Sequence, residues 1–255
     1  MVDTQPEELV HYDVADRIAT ITLDSPHNRN ALSRRLLTEL FDRLDRADQD
    51  DVLAVVLKSS GRVFCSGADL SEASTTPMEE GARAIVRLQR AILALSKPVV
   101  TVVEGAARAG GIGIVAASDV VITAEDATFA LTEVKLGLAP AVISLTVFPR
   151  LTPRAAALTA LGGEVFTGSE AVAYGLATKA VPAGQLDAAV AEVVGQLATG
   201  AAQGLRETKK LLAADLIRRI DEQGEELVAL SAGLFGSDEA RDAMVAFLNR
   251  KAARG

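Results

Sequence analysis

The sequence predicts an α/β protein whose chain alternates strand and helix through about residue 180 and is helical from Leu186 onward. Three observations carry that reading. Arg17-Ile18-Ala19-Thr20-Ile21-Thr22-Leu23 alternates polar and apolar side chains, the period of a half-buried strand. Val52 to Leu57, Val99 to Val103 and Val120 to Ala124 are runs rich in β-branched residues, as in strands buried on both faces. Between them, Leu32, Leu36, Leu37, Leu40, Phe41 and Leu44, and then Ile85, Leu88, Ile92 and Leu95, recur at helical spacing. Strands separated in this way by helices belong to a parallel sheet with right-handed crossovers.

Along the chain, Asp24-Ser25-Pro26-His27-Asn28 ends the first strand, and Ser33 is a candidate N-cap for the helix that follows, with Asn30 and Ala31 as alternatives. After the Val52 strand, Gly61 leads through Phe64-Cys65-Ser66-Gly67-Ala68-Asp69-Leu70 into a polar stretch, Ser71 to Glu80. Asp69 there reads as the cap of a helix beginning at that point. The second helix stops before Lys97-Pro98. Ala106 to Gly113 reads as a small-residue loop passing into a helix that Asp119 closes, and Thr128-Phe129-Ala130-Leu131 as a short strand. Two regions are expected: a core over 1–195 that carries the active site, and a helical layer over 196–255 that packs on the core or on a neighbouring subunit.

Composition narrows the class. Hydrophobic residues make up 49% and charged residues 24%, the balance of a globular enzyme, and with aromatics at 4% the core must be built from Ala, Val, Leu and Ile. A net charge of −8 argues against nonspecific binding to nucleic acid or to an anionic membrane. A single cysteine, Cys65, excludes an intrachain disulfide and a cysteine-based metal cluster, and cytoplasm is the simplest expectation. The N-terminal segment lacks the basic-then-apolar order of a signal peptide, and no apolar run reaches the length needed to span a bilayer.

Several catalytic classes lack their residues. There is no GxxxxGK[ST], no GxSxG and no HExxH, and the two histidines, His11 and His27, lie far in sequence from any supported nucleophile. No metal site is expected. Gly111-Ile112-Gly113-Ile114-Val115-Ala116 matches a dinucleotide-binding pattern, but the preceding strand ends near Glu104, so close glycine packing is the better account. A nicotinamide-dependent oxidoreductase is the rival that rests on this segment. Two glycine-rich turns remain, Ser66-Gly67-Ala68-Asp69 and Ala109-Gly110-Gly111, each after a strand. They read either as plain strand-to-helix turns or as backbone donors of an oxyanion hole.

These segments together resemble the crotonase superfamily, the enoyl-CoA hydratase/isomerase family. The resemblance is carried by Gly67-Ala68-Asp69-Leu70, Lys97-Pro98-Val99-Val100 leading to Glu104-Gly105 and Gly110-Gly111, and Glu133-Val134-Lys135-Leu136-Gly137-Leu138-Ala139-Pro140. Pro26-His27-Asn28-Arg29-Asn30-Ala31-Leu32-Ser33 and Phe166-Thr167-Gly168 with Ala171, Ala173, Gly175 and Leu176 add to it, in family order over nearly the whole chain. The resemblance implies a spiral of repeated ββα units followed by C-terminal helices, assembled as a homotrimer or hexamer. It implies an acyl-CoA substrate, with coenzyme A part of that substrate and no separate cofactor. The N–H groups of Ala68 and Gly110 would hold the thioester oxygen. Arg29, Ala31, Asp69, Leu70 and Gly111 would lie with them along the CoA thioester. Glu133 would be the acid/base, its pKa raised by burial. A polyanionic CoA also needs local positive charge, for which Arg250, Lys251 and Arg254 are candidates beside the plainer reading of a solvated basic tail.

One departure shapes the functional expectation. Hydratases of this family commonly use two glutamates; the second corresponds to Glu133, but the first falls on Gly113, which has no side chain. Leu138-Ala139-Pro140-Ala141-Val142-Ile143-Ser144 resembles hydratase-like members of the methylglutaconyl-CoA hydratase type, with Ser144 a candidate to hold water. The expectation is a lyase that hydrates a 2-enoyl-CoA. The alternatives are a Δ3,Δ2-enoyl-CoA isomerase that uses Glu133 alone, or a noncatalytic acyl-CoA-binding protein. Asp69 reads as a cap rather than a catalytic group, Cys65 as core packing, and Arg108 is given no role.

Overall fold

The computed structural model describes residues 8–69, 71–72 and 77–252, the last six of these by backbone alone. The chain enters with an antiparallel pair, β1 (Val10–Ala15) and β2 (Ile18–Leu23), followed by helix α1 (Arg34–Gln49). From there it repeats one motif, in which a long strand is followed by a short strand and then a helix. The repeats are β3 (Ala54–Ser59), β4 (Val63–Cys65) and α2 (Met78–Ala94), then β5 (Val99–Val103), β6 (Ala106–Arg108) and α3 (Gly110–Ala117). The third begins with β7 (Val120–Ala124) and β8 (Thr128–Ala130), after which a 3-10 turn, Glu133–Leu136, leads to α4 (Ser144–Arg150).

Each repeat sends its two strands to different sheets. The long strands build a six-stranded sheet in the order β1-β2-β3-β5-β7-β10, with β10 spanning Lys179–Val181. The short ones build a four-stranded sheet in the order β4-β6-β8-β9, with β9 at Phe166–Thr167. All pairs along β2-β3-β5-β7-β10 are parallel. That is why Ala54 to Leu57 and Val99 to Thr101 are buried on both faces and read as unbroken apolar runs. The α/β spiral with a C-terminal helical layer is therefore the observed architecture.

Local rules explain the element ends. Ser33 is the N-cap of α1, its Oγ accepting from the Leu36 N–H at 3.2 Å. Helix α3 is buried at every position, so it lacks the polar face that would advertise a surface helix.

Two expectations from the sequence change, and one holds. Ala106 to Arg108 is not loop but strand β6, paired in parallel with β4 and β8; three small or cationic residues give no alternation to read. Asp69 does cap the short 3-10 segment at residues 71–72, its Oδ1 accepting from the Ser71 N–H at 3.0 Å and the Ser71 hydroxyl at 2.6 Å, while the next long helix, α2, begins only at Met78. Helix α3 is closed by Ser118, not Asp119. The Asp119 carboxylate instead accepts from the Val99 N–H at 2.7 Å and pairs at 2.8 Å with Lys209, which is 3% exposed.

The helical layer is α5 (Pro153–Gly162), α6 (Gly168–Tyr174), α7 (Leu186–Ala198), α8 (Ala202–Phe235) and α9 (Asp238–Ala252). Helix α7 packs on β3, β5 and β7, whereas α8 runs along α2 and α4. Lys209 fastens α8 to the core, its ammonium also donating to the carbonyls of Ile92 and Lys97 at 2.9 Å each. Every proton of that buried ammonium thus has an acceptor, which offsets the cost of desolvating it. Helix α9 lies against the 3-10 turn that begins at Glu133, with Ala240 fully buried there. No helix among the described residues is long and apolar enough to cross a membrane.

Candidate active site

The two glycine turns meet. Gly67, at φ +95°, follows β4, and Ala109, at φ 44° and ψ −120°, follows β6 and precedes α3. A methyl group built on Gly67 would lie 2.7 Å from the Ala109 Cβ and 3.5 Å from the Gly110 nitrogen. Gly67 therefore needs both its left-handed backbone and its missing side chain. Ala109 occupies a backbone region that a residue with a Cβ rarely adopts, at a cost of about 1–3 kcal/mol. This conformation sets the direction of the next peptide, whose N–H belongs to Gly110. Among the described residues, neither the Ala68 nor the Gly110 N–H is used in a turn, loop or cap hydrogen bond.

The turn after β4 is held in place by the segment before α1. Leu32 N–H donates to the Gly67 carbonyl at 2.8 Å, Ser66 N–H to the Arg29 carbonyl at 3.1 Å, and Asn28 Nδ2 to Asp69 Oδ2 at 3.1 Å. Buried Asn30 accepts from the Ser25 N–H at 2.7 Å and donates to the Val63 carbonyl at 2.8 Å, tying that segment to β4. Desolvation would raise Asp69, but the bonds from Ser71 and Asn28 outweigh it and hold its carboxyl below the usual range. Asp69 is thus an ionised structural acceptor.

Glu133 faces the same cavity, of about 130 Å³, as Ala68, Asp69, Ala109 and Gly110. Its Oε2 is buried without a hydrogen-bond partner. Burial pushes its pKa up from 4.5 to about 7, against a smaller opposing contribution from its own backbone N–H. The 3-10 turn that presents it ends at Gly137, φ +68°, where an added methyl would sit 3.0 Å from the Ala240 Cα of α9. Apart from Glu72 and Ser231, the remaining walls are apolar and come from α2 (Met78, Ala82, Ile85), the 138–143 segment and the end of α8.

The structure brings Glu133, Ala68, Asp69 and Gly110 together around this cavity. It does not bring Arg29, Ala31 or Gly111 to its wall. Arg29 is exposed on the neighbouring segment, Ala31 is 6% exposed, and Gly111 packs on β4, where a methyl would meet the Cys65 Cβ at 2.7 Å. Leu70 and Arg254 lie outside the described residues, as do the side chains of Arg250 and Lys251. Burial raises the Cys65 thiol to about 12, so it is no nucleophile. Arg108 donates to the Thr128 carbonyl and, at 3.0 Å, to Thr128 Oγ1, a brace between β6 and β8. Among the described residues no group of three or more His, Cys, Asp or Glu could hold a metal ion.

Two further expectations are settled by distance. Ser144 does not line the cavity: its hydroxyl donates to the Ala141 carbonyl at 2.6 Å, turned into its own loop. At Gly113, an added Cβ would lie 2.9 Å from Ile143 Cγ2 and 3.4 Å from Gln89 Cδ. Gln89, 1% exposed, fills that space with all its bonds made. Its amide donates to the Ile85 and Val142 carbonyls, and its Oε1 accepts from Thr146 at 2.6 Å. Gly113 is therefore not an empty seat for a second carboxylate. Gly113→Glu is expected to lose about 1–3 kcal/mol of stability through overpacking and to gain no activity, as thermal melts and turnover assays would show.

Sequence reading missed Gln89, Ser231 and Phe235. Gln89 carried a signal, a polar residue on the otherwise apolar face of α2. The others depend on long-range folding alone.

Residues 13–254 match the enoyl-CoA hydratase/isomerase family model. The solved structure of an enoyl-CoA hydratase from Mycobacterium avium superposes with a TM-score of 0.90 at 42% identity, covering 96% of this chain and 98% of that one. Enoyl-CoA hydratase EchA19 of Mycobacterium tuberculosis is 30% identical over 97% of this chain and 95% of its own. The peroxisomal Δ(3,5)-Δ(2,4)-dienoyl-CoA isomerase of Arabidopsis thaliana is 28% identical over 97% and 95%. A buried carboxyl thus shares one cavity with two backbone turns. The chain belongs to the enoyl-CoA hydratase/isomerase family.

Proposed function

We propose that this protein is a lyase that adds water to a 2-enoyl-CoA thioester, with Glu133 as its one acid/base group. The observation that carries the reading is Glu133 Oε2, buried and unpartnered in an otherwise mostly apolar cavity that also receives the Ala68 and Gly110 turns. The Glu133 carboxylate takes a proton from water as the water oxygen bonds to C3. The C2–C3 π pair moves to make the C1–C2 double bond of the enolate, and the carbonyl pair moves onto the thioester oxygen. The two backbone N–H groups stabilise the charge there, each worth about 2.7–4 kcal/mol. Glu133 then returns its proton to C2, so one water is added and the carboxylate is regenerated. A pKa of about 7 suits a group that must both take and give a proton near neutrality. The hydratase names of relatives at 30% and 42% identity support hydration.

A second reading, isomerisation of a 3-enoyl-CoA, is favoured by the filled space at Gly113, because moving a double bond needs only one carboxylate. Mass spectrometry and proton NMR of the products from 2-enoyl- and 3-enoyl-CoA decide between them. A mass gain of one water on the 2-enoyl substrate is the expected result. A shifted double bond with no added water would establish the isomerase instead, and unchanged thioesters would leave only an acyl-CoA-binding protein.

A further inference from the structure

We propose that the acyl end of this site accepts a short, uncharged chain, is bounded by Phe235, and rejects acyl groups that end in a carboxylate. The proposal deepens the hydratase reading and rests on it for where the acyl chain lies.

Size comes first. The cavity of about 130 Å³ must hold the thioester carbonyl beside Ala68 and Gly110 as well as the acyl carbons beyond it. A protein cavity of about 150 Å³ takes one benzene-sized group, so chains of about four to six carbons fit. Among the described residues the one aromatic on the cavity wall is Phe235, the last residue of α8, and it faces the same space as Met78 and Ile85 of α2. It is half-buried at a helix end, where truncation opens space without hollowing the main core.

Charge comes second. Among the described residues the wall contains three carboxyl groups, Asp69, Glu72 and Glu133, and no Lys, Arg or His. Residue 70 and residues 73–76 are uncharged by sequence. Among the described residues, two cations next to wall residues in sequence, Arg83 and Lys135, are engaged elsewhere. Arg83, next to Ala82 on α2, pairs with Glu79 and Glu225 at 2.8 Å each, and Lys135, two residues beyond Glu133, faces Glu164 at 3.5 Å. A carboxylate on the acyl chain would be desolvated with no counterion and would face an ionised Asp69. This sets the pocket chemistry against the acid-bearing acyl group that the methylglutaconyl-type resemblance implies.

The test is calorimetric titration of the full chain with butyryl-, hexanoyl-, decanoyl- and glutaryl-CoA, with CoA itself as reference, repeated for Phe235→Ala and the milder Phe235→Leu. Butyryl- and hexanoyl-CoA should bind at least about tenfold more tightly than decanoyl- and glutaryl-CoA, the scale expected of a filled or mismatched pocket. Phe235→Ala should raise decanoyl-CoA affinity about tenfold relative to hexanoyl-CoA, with Phe235→Leu intermediate and glutaryl-CoA weak throughout. Glutaryl-CoA binding as tightly as hexanoyl-CoA would overturn the charge argument. Equal wild-type affinity for decanoyl- and hexanoyl-CoA, or a ratio unmoved in both variants, would overturn the size argument. Saturated thioesters need no turnover to bind. The predicted affinity order together with no hydration of any enoyl-CoA would therefore sink the hydratase reading and leave this one standing.

Discussion

Glu133→Gln is expected to lower kcat/KM by about 10²–10⁴, the usual worth of a positioned acid/base group, and at the same time to make the protein more stable above neutral pH. The two effects have one cause. The Glu133 carboxyl is buried with Oε2 unpartnered, so the fold disfavours its charged form and raises its pKa from 4.5 to about 7. Below pH 4.5 the group is protonated in both folded and unfolded chains, and its perturbed pKa costs nothing. As pH rises through 4.5 to 7 the unfolded chain releases its proton first, and stability falls. Above 7 the loss is complete, at most about 3 kcal/mol for a rise of this size. Glutamine keeps the shape and cannot ionise, so its stability advantage should be absent at pH 4 and full at pH 8, as denaturant titrations at the two values would show. In the wild type, kcat/KM should fall as pH drops below about 7, because the first step needs the carboxylate. A variant that is inactive but no more stable at pH 8 would mean that Glu133 is not held in the buried, unpaired state described here.

Gly67→Ala is expected to lower kcat by about 10²-fold, the scale of a displacement of about 1 Å at a reacting centre, while leaving Glu133 intact. The added methyl would lie 2.7 Å from the Ala109 Cβ, so one of the two turns must move, and φ +95° is unfavourable for alanine besides. Either movement re-aims the Ala68 or the Gly110 N–H. On the proposed mechanism the penalty should fall on kcat more than on KM, because there the two donors act on charge that develops only in the transition state. Steady-state kinetics on the purified variant, with its melting curve as control, separates this from general unfolding. A KM increase with kcat unchanged would show that the turns bind substrate without stabilising the enolate.

The fold was legible where each residue's environment is set locally. The Val52, Val99 and Val120 runs announce strands covered on both faces, and the Leu32 to Leu44 spacing with Ser33 announces α1. Short strands escaped because Ala106 to Arg108 gains its structure only from β4 and β8, which are distant in sequence. The same holds for the site. Glu133, Ala68 and Gly110 could be placed because they lie in family motifs. Asp69 was legible as a cap because its short carboxylate can reach the N–H two residues on, as it does at Ser71. Ser144 was proposed by position alone, and only its 2.6 Å bond to the Ala141 carbonyl shows that it faces its own loop. The filling of the Gly113 space by Gln89 and Ile143 joins three separate segments, and no local pattern encodes that.

The most direct test of Glu133 as the group that makes and quenches a thioester enolate is exchange at C2. Wild-type protein and Glu133→Gln would be incubated in heavy water with 3-hydroxybutyryl-CoA, and deuterium at C2 followed by NMR. The wild type should incorporate deuterium at C2, and the variant should be slower by about 10² or more. Exchange by Glu133→Gln at the wild-type rate would contradict the account, because some other group would then be moving the proton.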